Sequence, residues 1–81
     1  MKIRLRLFAS IKEKCGFSEK ELTVSSDIKI THIIDLLCKS HPELPEVRPS
    51  LLYAVNEEYC EGDKTLKDGD TLAIFPPVSG G

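Results

Sequence analysis

The sequence predicts a single α+β domain in which one main helix packs on a sheet of about four or five strands. Three observations predict it. Residues 2–7 alternate basic and apolar side chains, and residues 30–40 carry an apolar stripe at helical spacing. Two short apolar runs, 51–55 and 71–75, follow the helix. At 81 residues the chain has room for one small core and not for a second.

Taken in order, Ile3, Leu5 and Leu7 face one way while Lys2, Arg4 and Arg6 face the other, the period-two pattern of a half-buried strand. The basic face admits an anion site or a solvated sheet face. With no glycine-rich loop beside it, the solvated face is the favoured reading. Ser10 and Glu13 have capping-box spacing, which predicts a short helix over 11–15 that stops at Gly16. A second strand is expected over 20–25, with Leu22 and Val24 inward.

The helix over 30–40 is the clearest element. Ile30, Ile33, Ile34, Leu37 and Cys38 fall at i, i+3, i+4, i+7 and i+8, which puts Cys38 in the core seam. Lys39 and His41 suit the negative end of the helix dipole, so His41 reads as a helix-end residue rather than a catalyst. Pro42 blocks continuation, and Pro42, Pro45 and Pro49 predict a loop over 42–50. The continuous apolar run 51–55 predicts a strand buried on both faces. Turns are expected at Asn56-Glu57-Glu58, Gly62-Asp63 and Gly69, with brief pairing at Tyr59-Cys60, an extended piece at Thr65-Leu66 and a last strand over 71–75.

Composition excludes several function classes. The chain holds 11 basic against 13 acidic residues, so the basic excess of a general nucleic-acid binder is missing. No run approaches the roughly 18 apolar residues that cross a bilayer, and the N-terminus lacks a continuous signal-peptide core. A soluble, cytosolic protein without membrane or nucleic-acid partners is expected. Cys15, Cys38 and Cys60 are an odd, widely spaced set without a Cys-x-x-Cys pair, and His32 and His41 lack zinc-ligand spacing to them. Three reduced cysteines and no bound metal are expected.

After Phe75 the chain reads Pro76-Pro77-Val78-Ser79-Gly80-Gly81. The prolines cannot donate to a ladder, and the glycines carry no Cβ, so the sequence divides into a domain over 1–75 and an extended tail over 76–81. Extended chain from Val78 to Gly81 reaches roughly 13–14 Å. Such a tail contributes nothing to a core and has the right shape to thread a narrow channel in another protein. Its chemistry is the α-carboxylate of Gly81, ionised at neutral pH and a poor acyl donor until activated as an acyl phosphate or adenylate. Chance alone would end a chain in two glycines about once in 200. Here the pair follows a strand, a diproline and a compact domain.

The ending Asp68-Gly69-Asp70-Thr71-Leu72-Ala73-Ile74-Phe75-Pro76-Pro77-Val78-Ser79-Gly80-Gly81 resembles that of molybdopterin synthase small subunits, the sulfur carriers of molybdenum cofactor biosynthesis. The stretch Tyr53-Ala54-Val55-Asn56-Glu57-Glu58-Tyr59 and the start, from Ile3 through Ser10 to Gly16, are similar to the same family. The resemblance implies a ubiquitin-like β-grasp fold, a mixed sheet wrapped on one helix. It implies that an ATP-dependent, ubiquitin-activating-type enzyme adenylates Gly81 and that a sulfur donor displaces AMP to leave a thiocarboxylate. No cofactor is bound by the carrier itself; ATP is consumed by the activating enzyme. The tail residues Pro76, Pro77, Val78, Ser79 and Gly80 then thread into the large synthase subunit, in a 2:2 assembly, with Phe75 docking against it. There, two carriers in succession supply the dithiolene sulfurs to cyclic pyranopterin monophosphate. The carrier is then a reagent rather than an enzyme, and the large subunit holds the catalytic side chains.

Three other readings share these features. A sulfur carrier for thiamine thiazole or tRNA thiolation resembles this ending only in Gly80-Gly81. A ubiquitin-like modifier would form isopeptide bonds to target lysines. A plain binding module would keep its role when the tail is cut.

Overall fold

β1 (Lys2–Leu7) follows the predicted alternation residue by residue: Ile3, Leu5 and Leu7 are buried and the three cations exposed. The computed structural model describes residues 1–77. β1 lies between β2 (Glu19–Thr23), antiparallel to it, and β5 (Thr71–Phe75), parallel to it. β3 (Leu52–Val55) pairs antiparallel with β5, and β4 (Glu58–Cys60) closes the far edge, for an order β2-β1-β5-β3-β4. This is the mixed β-grasp sheet that the resemblance implies.

α2 (Ile30–Ser40) crosses one face of the sheet and seats Ile30, Ile33 and Ile34 against Ile3, Leu5, Leu7, Leu72 and Ile74. Each such side chain contributes about 1.5–3 kcal/mol on burial. Leu37 and Cys38 complete the stripe but are only partly buried, whereas Cys15 lies deeper. His41 ends the helix as expected, its amide donating to the Leu37 carbonyl at 2.9 Å. At the other end, the Lys29 amide donates to His32 Nδ1 at 3.1 Å.

Three local expectations are corrected. α1 (Ala9–Cys15) has Phe8, not Ser10, as its N-cap residue, and no side chain caps it. The Phe8 amide donates to Ile74 at 3.3 Å, which holds the chain extended up to residue 8. Ala9 then turns sharply at φ 50, so Ser10 falls inside the first turn, where its hydroxyl cannot act as a cap. Gly16 does end α1, in the left-handed conformation that a glycine takes without strain (φ 81).

The expected loop over 42–50 instead contains α3 (Leu44–Val47) and a 3-10 turn (Arg48–Ser50), each with proline in its first turn. There the missing amide hydrogen leaves no intrahelical bond unmade. α3 buries Leu44, and Arg48 ties the segment to α2 through Asp35 at 2.6 Å and the Thr31 carbonyl at 3.3 Å. In the 51–55 run Leu51, Ala54 and Val55 are buried and Tyr53 half-buried, but Leu52 is exposed, so the run is not buried on both faces throughout.

Candidate docking face and carrier tail

The core occupies one face of the sheet, and no described residue covers the middle of the other face. In register across it stand Arg6 on β1, Ala73 on β5, Ala54 on β3 and Tyr59 on β4. Two alanines in the middle leave a depression, which larger residues border on both sides. Phe8 and Phe75 stack along one border, ring centroids 4.6 Å apart and planes 14° from parallel. Tyr59 tilts toward Phe75 at 6.0 Å and is 73% exposed. The resulting trough has a volume of about 530 Å³ and is open to solvent. Ala54 is buried yet lies outside the core cluster, because its side chain forms the floor of this opposite face.

The far end of the trough is fixed by Asn56. Its side chain accepts from the Thr71 amide at 3.0 Å and donates to Asp70 at 2.9 Å, locking the β3–β4 turn onto the start of β5. Asn56 and Glu57 both take positive φ (50 and 72), the conformation a tight hairpin turn needs at its two central residues.

Phe75, singled out from the sequence as a docking residue, is half-buried on this open face and not in the core. Pro76 is half-buried and Pro77 exposed as the chain leaves the sheet. Val78, Ser79, Gly80 and Gly81 lie outside the described residues. Sequence reasoning missed Phe8, Tyr59 and Arg6 as parts of the face. One signal was present: the alternation of β1 continues to residue 8, so an aromatic occupies an outward, otherwise cationic position.

Within the described residues no charged or polar side chain is buried, and no group of three or more His, Cys, Asp or Glu is placed to hold a metal. Burial pushes the Cys15 thiol up from its ordinary value, with Cys38 adding to the effect. Burial also raises Cys60 and the phenol of Tyr53. These thiols are protonated and weakly nucleophilic at neutral pH. The aromatic border and alanine floor of the trough offer apolar area suited to binding. No helix among the described residues is long and apolar enough to cross a membrane.

Residues 5–81 match the ThiS family. The chain is 32% identical over 83 residues to the molybdopterin synthase sulfur carrier subunit of Chlamydomonas reinhardtii, with all of both chains covered. It is 34% identical to the subunit of that name from Homo sapiens, covering 98% of this chain and 93% of the human one. Among solved structures it resembles SAMP1 of Haloferax volcanii, a small archaeal modifier protein, at TM-score 0.82 and 29% identity over the whole of both chains. A putative molybdopterin converting factor subunit 1 from Pyrococcus furiosus matches at TM-score 0.83 and 28% identity, covering 96% of this chain and 99% of that one.

Proposed function

The chain belongs to the ThiS family, and from that premise we propose that it is the sulfur-carrying small subunit of a molybdopterin synthase. The observation that carries the reading is the full-length match to relatives of that name, in a chain that ends Phe75-Pro76-Pro77-Val78-Ser79-Gly80-Gly81. Gly81 is the reacting residue. A carboxylate oxygen of Gly81 attacks the α-phosphorus of ATP on an activating enzyme, and pyrophosphate leaves. Sulfide released by a sulfur donor then attacks the acyl carbon, the acyl–oxygen bond breaks, AMP leaves, and a thiocarboxylate remains. Its sulfur, a softer nucleophile than oxygen, bonds to a carbon of the pterin precursor inside the large subunit and displaces an oxygen leaving group there. Hydrolysis of the resulting thioester returns the Gly81 carboxylate and leaves the thiol on the pterin. ATP is consumed by the activating enzyme, and the carrier binds no cofactor of its own.

The structure supports this division of labour. The trough offers apolar area and aromatic anchors of the kind that dominate interfaces, and β5 delivers the chain to the tail from the corner where Phe8 and Phe75 stack. Protonated Cys15 and Cys60 thiols fit a sulfur held on Gly81 rather than on cysteine. The large subunit covers the trough, in a 2:2 assembly in the cytosol, while residues 76–80 thread toward its active site.

The test removes Gly81. The shortened chain should fail both in ATP–pyrophosphate exchange with the activating enzyme and in conversion of the precursor by the large subunit, while remaining folded. Wild-type rates in both steps would overturn the reading. A second reading, a protein modifier, is favoured by the likeness to SAMP1. Covalent ladders on target proteins, rather than a free thiocarboxylate, are its signature.

A further inference from the structure

The three outward cations of β1 are not equivalent. In Cα register Lys2, Arg4 and Arg6 oppose Thr23, Glu21 and Glu19 of β2. Their ion pairs, however, are displaced by two residues along β2. Lys2 reaches Glu21 at 3.7 Å, and Arg4 reaches Glu19 at 2.6 Å. The same displacement would pair Arg6 with residue 17, which is Phe17, so the ladder runs out of acids at that point. Among the described residues Arg6 forms no ion pair. Its guanidinium instead lies 5.2 Å over the ring of Phe8, which stacks on Phe75. The stack holds a cation that has no ion-pair partner among the described residues at the border of the trough, beside the point where β5 delivers the chain to its tail.

We propose that Arg6 selects and orients the large subunit on this face: the partner sets an apolar side chain on the Ala54–Ala73 floor and a carboxylate against the Arg6 guanidinium. The inference rests on the docking reading above and adds the charge that the partner must carry. A guanidinium presents a planar fork of donors that fits a carboxylate in two parallel hydrogen bonds. A partner that covered Arg6 without supplying that carboxylate would strand a desolvated charge. The opposite end of the trough is bordered by Glu57. Three strand spacings, roughly 14 Å, separate the β1 and β4 sides. Cation at one end and carboxylate at the other make the trough polar along its length, so a complementary partner fits in one direction only.

The experiment is calorimetric titration of the cognate large subunit with the full-length chain, as wild type, Arg6→Glu, Arg6→Gln and Phe75→Ala, at low and high salt. Thermal melting confirms that each variant is folded, and Arg6→Gln, which keeps a long polar side chain without introducing a charge beside Glu19, guards against misfolding of the reversal. Arg6→Glu should raise Kd by about 30-fold or more and Arg6→Gln by roughly 5- to 10-fold, with a shallower salt dependence in both. Should both Arg6 variants bind within twofold of wild type while Phe75→Ala is weakened, the selecting role of Arg6 is wrong and the docking face stands. Wild-type binding by all three variants overturns the docking face together with the role of Arg6.

Discussion

Phe75→Ala separates a docking residue from one that merely covers the sheet. A half-buried phenylalanine hides roughly 100 Å² of apolar surface, about half of what a buried ring contributes. At 25 cal/mol per Å² that is worth about 2.5 kcal/mol of folding stability, and it includes the shelter that the ring gives Phe8 across 4.6 Å. A domain of 81 residues is stable by about 4–12 kcal/mol, so the variant should stay folded at room temperature. Urea denaturation measures that loss. A double-mutant cycle with Phe8→Ala should return a coupling of about 0.5–1.5 kcal/mol for the stacked pair. Binding responds separately. An aromatic anchor at an interface centre is worth about 2 kcal/mol or more, so Kd for the large subunit should rise about 30-fold. A folded Phe75→Ala variant with an unchanged Kd would refute the reasoning and leave Phe75 a cover for Phe8.

Other outcomes follow from the same structure. Glu57→Gly relieves a side chain held at φ 72 and should stabilise the fold by about 0.5–1 kcal/mol in thermal melts, since the left-handed strain exceeds the entropy cost of glycine. Asn56→Ala removes the partners of the Thr71 amide and Asp70 and should cost about 1–2 kcal/mol by urea denaturation. Replacing Cys15, Cys38 and Cys60 together with alanine should leave sulfur transfer working at reduced stability; loss of transfer in a folded variant would point to a persulfide on cysteine. Burial raises the folded-state thiols of Cys15 and Cys60 and the phenol of Tyr53. The folded chain therefore holds more protons than the unfolded chain in alkali. Their stabilisation is complete below the unfolded pKa values and is lost as pH rises through roughly 9 and beyond. Cys15→Ala should flatten that decline in denaturant midpoint against pH.

Much of the fold was legible because its signals are local. β1 and α2 announce themselves by period, and Gly16 by the conformation a helix end demands. What was misread depends on distant parts of the chain. The N-cap of α1 is Phe8 rather than Ser10 because a β5 carbonyl holds residue 8 extended, a contact no local spacing encodes. Prolines 45 and 49 were read as breakers, yet each sits in a first turn, where proline is tolerated, and Arg48 anchors the segment to α2. The docking face was half legible. Phe75 stood out through its place before the tail, whereas the alanine floor needs the registers of three strand pairs, and the isolation of Arg6 needs the displaced ladder to β2.

The central claim is that Gly81 carries the sulfur, and mass spectrometry of the intact chain from its native cell, followed by fragmentation of its C-terminal peptide, tests it most directly. The account predicts a fraction in which one oxygen of the Gly81 carboxylate is replaced by sulfur, with Cys15, Cys38 and Cys60 unmodified. An unmodified Gly81 carboxylate in cells making the cofactor, with added sulfur on any of the three cysteines, would contradict it.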